Sequence, residues 1–159
     1  MNHPKEEKTL VLLKPDALQR NLLGEIIHRF ERRGLKIIGM KMIALDEAIL
    51  KEHYAHLKDK PFFKGIQDFM SSYPVVAMAI SGVRAVSMVR AMCGPTKGYE
   101  ALPGTIRGDF SMSTQANLVH ASDPVENPEA EVNRFFKPHE LFSYKKIEFD
   151  ILLAPDELK

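Results

Sequence analysis

Cysteine is nearly absent from the chain: Cys93 is the one thiol among 159 residues. A single thiol excludes an intramolecular disulfide and leaves no thiol cluster for zinc or an iron–sulfur group, which suits a reducing compartment and a cytoplasmic protein. An excess of charge of one sign is also missing. Lysine and arginine total 22 against 21 acidic residues, a formal net charge of +1. That balance argues against blanket neutralisation of a nucleic-acid backbone as the main task, while a local basic pocket stays compatible with it. Apolar runs are far shorter than a membrane span, and Met1 to Lys8 lacks the apolar centre of a signal peptide, so no membrane partner is expected. Neither a GxxxxGK[ST] phosphate loop, nor HRD and DFG kinase signatures, nor a GxSxG elbow occurs, which removes the common triphosphate-using and hydrolase templates.

What is present is 45% hydrophobic and 27% charged, the balance of one globular domain over residues 1–159 with a polar tail at 1–7 and a C-terminal tail at 145–159. Lys8 to Lys14 reads as a buried strand closed by Pro15 and Asp16, with Lys14 at its end. Gly24 to Arg33 sets Ile26, Ile27 and Phe30 on one helical face, and Gly34 suits its C-terminus. Leu35 to Leu45 is strand-like, and Asp46 is a candidate N-cap for a helix toward Leu57. After Pro61, Phe62 to Met70 predicts a short helix, Pro74 to Ile80 a buried strand stopped by Gly82, and Val83 to Met92 a helix with Arg84 and Arg90 outside. Asn127-Pro128-Glu129 opens another helix carrying Glu131, Val132 and Phe135. Strands alternating with helices, without internal repeats, indicate an α/β or α+β sandwich.

Between Cys93 and Ala116 no period is found, and long irregular segments in compact domains are usually functional or disordered. Tyr99, Leu102, Ile106 and Phe110 suggest that this one is packed. Within it, Gly104 and Gly108 flank Arg107, whose planar fork suits phosphate oxygens. Asn117 to His120 then forms a short strand-like run before Ser122, Asp123 and Pro124. The imidazole could serve as base, ligand or nucleophile, or as a structural histidine bonded at a strand end. In a regular strand Leu118 and His120 share one face and Asn117 and Val119 the other, so Asn117 and His120 reach one site only if the chain bends there.

The other histidines read as bland: His3 in a tail, His28 on the charged side of a helix, His139 after a proline. His53 and His56 are three apart on a helix, but no second ligand pair accompanies them. Lys14 and Arg90 taken alone read as solvated cations, Phe62 and Tyr54 as packing residues.

KPDALQR, GEIIHRFERRG, HYAHLKDKPFF, PVVAM, PGTIRGDF and NLVHASD, in that order from about Lys8 to Tyr144, closely resemble the nucleoside diphosphate kinases. The resemblance implies a ferredoxin-like sandwich with a four-stranded antiparallel sheet covered by helices. It also implies that ATP phosphorylates the enzyme before a second nucleotide collects the phosphate, with His120 matching the phosphorylated histidine. Lys14, Arg90, Thr96 and Arg107 match phosphate-binding positions, Asn117 and Lys14 the sugar-hydroxyl contacts, and Phe62 the aromatic that stacks on the base. Tyr54, Ser122 and Glu131 match residues that support the histidine. Mg2+ would arrive on the nucleotide phosphates, with no metal ligand from protein side chains. Partners implied are nucleoside tri- and diphosphates and further copies of the chain, a hexamer in preference to a tetramer, with the loop through Ile106 and the tail residues Phe149, Ile151, Leu152 and Leu153 at subunit contacts. Ala17, Lys97-Gly98, Ala121 and Pro124 depart from the family pattern. Ala17 matters if its turn needs positive φ, and Pro124 if a backbone donor is needed there. The competing expectation is a family relative that keeps the nucleotide pocket but acts as a regulatory or nucleic-acid-associated protein with little turnover.

Overall fold

The computed structural model describes residues 5–125 and 127–157, apart from the side chains of Phe149 and Asp150; the expectations for His3 and for the Phe149 side chain lie outside it. Four strands, β1 (Glu6–Leu13), β2 (Lys36–Ile43), β3 (Val75–Val83) and β4 (Val119–Ala121), form one sheet in the order β2-β3-β1-β4. Every neighbouring pair is antiparallel. The helices are α1 (Pro15–Gln19), α2 (Leu23–Arg32), α3 (Glu47–His53), α4 (Phe63–Ser71), α5 (Ala85–Cys93), α6 (Ile106–Phe110), α7 (Pro128–Phe135) and α8 (Phe149–Leu152). This is the ferredoxin-like α+β sandwich.

The two central strands are apolar on both faces because both faces are covered, which hides the alternation a half-buried strand would show. Val11, Leu13, Val76, Met78 and Ile80 pack with Ile26 and Phe30 of α2 and Ala85 and Val89 of α5. Leu10, Leu12, Ala77 and Ala79 pack with Leu50 of α3, Met70 of α4 and Val132 and Phe135 of α7.

Local chemistry sets the ends of these elements. Asp46 accepts from Ile49 N at 2.9 Å and Asn127 from Ala130 N at 3.1 Å, each satisfying a helix donor that would otherwise be orphaned. Gly34 takes φ +89° after α2, the left-handed conformation that glycine adopts without a Cβ penalty.

Several boundaries differ from the sequence expectation. Strand β1 begins at Glu6, inside the expected polar tail. Gly82 does not stop β3 but pairs with Glu7 inside it. The turn after β1 is the short helix α1, with Pro15 at its N-terminus and Ala17 helical and buried, so positive φ is not needed there. The helix from Asp46 breaks at Tyr54 into α3 and a 3-10 turn over Ala55–Leu57. Tyr99 and Leu102, expected to pack, are 63% and 74% exposed, whereas Ile106 is fully buried.

The C-terminal segment covers part of the outer edge of β2. Phe142 N donates to Ile38 O at 2.7 Å, Tyr144 Oη to Ile37 O at 2.6 Å and Lys146 Nζ to Leu35 O at 3.4 Å.

Gly108 fixes the seat of α6. A Cβ there would stand 2.0 Å from Leu102 O and 2.5 Å from Leu102 C, both backbone atoms that cannot rotate away. Gly108→Ala is therefore expected to cost about 1–3 kcal/mol by overpacking. A thermal melt unchanged from the parent protein would show that the loop yields at no cost.

Candidate active site

The site begins at a reversal of the backbone. Leu118 takes φ +72°, a rare conformation for a leucine, and Val119 N closes on Asn117 O at 2.9 Å. Two further bonds hold the reversal: Leu118 N donates to Asp16 Oδ2 at 3.0 Å, and Lys14 N to Leu118 O at 2.9 Å. Strand alternation fails here, so Leu118 joins Val119 and Ala121 in the core under α2 and α5, while His120, opposite Leu12, faces α3 and α7. The bend lies at Leu118, one residue before the strand starts, whereas the sequence suggested it after His120, in Ala121 to Pro124.

Asn117 thereby turns toward Lys14. Lys14 Nζ donates to Asn117 Oδ1 at 2.6 Å and to Gln115 O at 3.3 Å, and Asn117 Nδ2 donates to Thr96 O at 2.7 Å and Thr114 O at 2.8 Å. Gln115 Nε2 reaches Gly65 O at 2.8 Å, which ties α4 to the same loop. Phe62, just before α4, is 52% exposed.

Arg107 is buried, and its guanidinium is less available than an isolated fork. Nη1 donates to Gly94 O and Nη2 to Val119 O, each at 2.6 Å, and Nε to Asn117 O at 3.3 Å. It thus fastens the glycine-rich segment to β4 as well as bringing charge. Burial lowers the Arg107 pKa. Burial also pushes Lys14 down, to about 8, with the nearby Arg107 charge adding to the fall and Asp16 opposing it. Asp16 itself is shifted up by burial. A buried lysine whose charge is opposed by a neighbouring guanidinium favours the arrival of an anion.

On the α3 and α7 side of β4, His120 Nε2 lies 3.2 Å from Glu131 Oε2, which also accepts from Ser122 Oγ at 2.7 Å. Ser122 in turn accepts from Leu10 N at 3.1 Å, so the carboxylate is referenced to the central strand. Tyr54 presents its ring to His120 at a centroid distance of 5.9 Å. Arg90, whose side chain is 41% exposed, reaches the end of β4: Nη2 lies 3.2 Å from Asp123 Oδ2 and Nη1 3.4 Å from Ala121 O.

His53 was missed. It does not act with His56, which is exposed beyond the helix break; it is buried, with its ring centroid 4.4 Å from that of His120. Ligand atoms of His53, His120 and Glu131 lie within 4.8 Å of one another. However, Arg134 Nη1 sits 3.2 Å from His53 Nδ1, so a guanidinium occupies the approach that a metal would need. Asp16 and Arg134 were also overlooked. The one available signal was an acidic residue following Pro15 in the first turn of a helix.

Comparison with known proteins converts this chemistry into a class. A Halobacterium salinarum nucleoside diphosphate kinase solved in complex with CDP superposes with a TM-score of 0.92 at 40% identity, covering 94% of this chain and 99% of that one. A Borrelia burgdorferi nucleoside-diphosphate kinase, a transition-state mimic with bound vanadate and ADP, gives 0.85 at 34% identity over 91% and 95%. Fold and site together define a phosphotransferase. The family model described as Nucleoside diphosphate kinase matches residues 7–141, and a Parabacteroides distasonis nucleoside diphosphate kinase is 55% identical over 95% of this chain and 99% of its own length. The chain belongs to the nucleoside diphosphate kinase family, and its activity is phosphoryl transfer between nucleotides.

The Lys14 shift has a measurable consequence. Between about pH 8 and its ordinary value of 10.5, the folded protein has released a proton that the unfolded chain still holds, so this group's contribution to stability rises with pH over that window. An anion settling beside Lys14 recharges it. Binding of a nucleoside diphosphate at pH 8.5 to 9 is therefore expected to take up a fraction of a proton, and close to none at pH 6.5. Calorimetry in buffers of different ionisation enthalpy reads this directly, and equal values at both pH settings would mean that no anion reaches Lys14.

Proposed function

We infer that the enzyme works in two steps through a phosphohistidine on His120. The observation that carries this reading is the 3.2 Å contact between His120 Nε2 and a Glu131 carboxylate already held by Ser122. A carboxylate accepts, so Nε2 carries the hydrogen and the ring's lone pair belongs to Nδ1. In the first half-reaction the Nδ1 lone pair forms a bond to the γ-phosphorus, the bond from that phosphorus to the β-bridging oxygen breaks, and its electrons leave on the diphosphate. In the second half-reaction the terminal oxygen of another nucleoside diphosphate attacks the phosphoimidazole, and the nitrogen recovers its lone pair. One transfer between two nucleotides becomes two similar ones, and little proton movement is required.

Lys14, Arg90, Thr96 and Arg107 supply the positive and polar surface for the phosphates. Asn117, bonded to Lys14, takes the sugar hydroxyls with it. Phe62 stands exposed, as a stacking platform must, and would accept any base by its π-face. Tyr54, Ser122 and Glu131 hold the imidazole.

A divalent ion, Mg2+, would enter on the nucleotide. The donors grouped near His120 are two imidazole nitrogens and one carboxylate, a set that suits a nitrogen-preferring ion, whereas Mg2+ prefers oxygen and keeps to phosphates and water. Bound there it offsets charge on the transferring phosphoryl group.

Residues 1–159 are read as one domain of a cytoplasmic enzyme; among the described residues no helix is long and apolar enough to cross a membrane. The chain assembles with copies of itself, a hexamer in preference to a tetramer. Support comes from the apolar side chains of Tyr99, Leu102 and Met112 on either side of α6, which are 63%, 74% and 91% exposed and would be covered in a subunit contact.

Two experiments test these readings. Incubation with γ-labelled ATP and Mg2+, isolation, and addition of unlabelled GDP should give acid-labile, alkali-stable label on the protein that moves to GTP and is absent in His120→Gln. No label on folded, ATP-binding protein would return the regulatory-relative reading. Light scattering at micromolar concentration should give a multiple of 18.0 kDa, six-fold for the hexamer, and a monomeric mass would sink the assembly proposal.

A further inference from the structure

Glu131 and Arg134 stand three residues apart on α7, the spacing at which opposite charges on a helix meet. They are nevertheless held apart. Arg134 Nε donates to Glu52 Oε1 at 2.8 Å and Nη1 to His53 Nδ1 at 3.2 Å. Glu131 commits Oε2 to Ser122 and His120, and its Oε1 is buried without a hydrogen-bond partner. A helix neighbour with five donors and a carboxylate oxygen with none to receive would ordinarily find each other.

His53 lies between them. Its Nδ1 is 3.2 Å from Arg134 Nη1 and 3.9 Å from Glu131 Oε1. The ring is wedged edge-on among Tyr54, His120 and Phe135, at centroid distances of 4.7, 4.4 and 5.1 Å. An arginine only donates, so Nδ1 is the acceptor and the ring hydrogen is on Nε2. A protonated ring would set a second cation against the guanidinium, and burial, the His120 ring and Arg134 all oppose it, pushing the His53 pKa down to about 2 against the pull of Glu131.

We propose that His53 is a positioning residue, a neutral spacer that holds the Arg134 guanidinium off Glu131 and so keeps the carboxylate committed to Nε2 of His120. The proposal rests on His120 as the phosphoryl carrier. Without the spacer, Arg134 Nη1 loses its acceptor and turns to the unpartnered Oε1 beside it. The guanidinium then shares the carboxylate charge, and the hydrogen bond that fixes the His120 tautomer weakens. His53 touches neither nucleotide nor phosphorus in this scheme; it acts through Glu131.

The test is rescue by removal of the rival cation. Phosphoenzyme formation from labelled ATP is measured for His53→Ala, Arg134→Gln, and the double variant. The expected result is a loss of about tenfold or more in kcat/KM for H53A, a rate within about twofold of the parent for R134Q, and recovery of most of the loss in H53A/R134Q. A histidine that merely fills space would not be rescued by changing Arg134, so a double variant no faster than H53A overturns the proposal. The Nε2–H proton resonance of His120 gives the spectroscopic counterpart: it should be lost in H53A and regained in the double variant. If H53A does not fold, His53→Gln decides, because its amide oxygen still accepts from Arg134; a near-parental rate supports the spacer role, and a tenfold loss overturns it. Should the parent protein take no label at all, the His120 reading fails separately, and the spacer is judged from a crystal structure of H53A or H53Q. Arg134 bonded to Glu131 in H53A, or still held by residue 53 in H53Q, supports it; Arg134 unmoved in H53A, or turned to Glu131 in H53Q, overturns it.

Discussion

The reversed backbone at Leu118 is the constraint on which the rest of the site depends. A leucine at positive φ is strained by roughly 1–2 kcal/mol, and three bonds around it hold the strain in place: Asp16 Oδ2 on its N–H, Lys14 N on its carbonyl, and the closure from Val119 N to Asn117 O. The reversal brings Leu118 and Val119, which a regular strand would send to opposite faces, into one core. Asn117 turns to Lys14 and Thr96, while His120, three residues on, enters the face under α3 and α7. Arg107 completes the arrangement by bonding carbonyls on both sides of the turn.

Binding and nucleophile orientation fall to different charged groups around β4. On the side of Lys14 and Arg107 the cations are poorly compensated, and burial weakens their hold on protons. On the side of His120 a single carboxylate is shared between a hydroxyl and an imidazole, with a guanidinium kept one ring away. The imidazole has its tautomer set before any ligand arrives, which is preorganisation in the electrostatic sense.

Much of this was legible along the chain because it is local. Asp46 and Asn127 announced their helices as caps, the apolar runs of β1 and β3 announced buried strands, and NLVHASD carried both the histidine and the serine that orients its partner. The illegible parts are of two kinds. Leucine gives no local hint of positive φ, since the conformation is imposed by Asp16 from a segment a hundred residues away in the chain. His53 looked like half of a helical pair with His56, and only tertiary packing, which brings α3 against α7, reveals Arg134 and Glu131 as its neighbours. Arg107 was recognised as a phosphate-type residue, but its ties to Gly94, Asn117 and Val119 could not be seen in a loop without a period.

The strap that Phe142, Tyr144 and Lys146 lay along β2 bears on how the protein is made. Strand β2 is an outer strand, and the carbonyls of Leu35, Ile37 and Ile38 meet partners that lie more than a hundred residues further along the chain. On the ribosome, β1, β2 and β3 can pair once Val83 has emerged, but the β4 side of β1 stays open until Ala121 follows, and the flank of β2 until Phe142, Tyr144 and Lys146 do. Open strand edges recruit other chains. Phe142, Tyr144 and Lys146 thus close the β2 border after the four strands are made, and a nascent chain that stops short of them would display the sheet with that border unsealed.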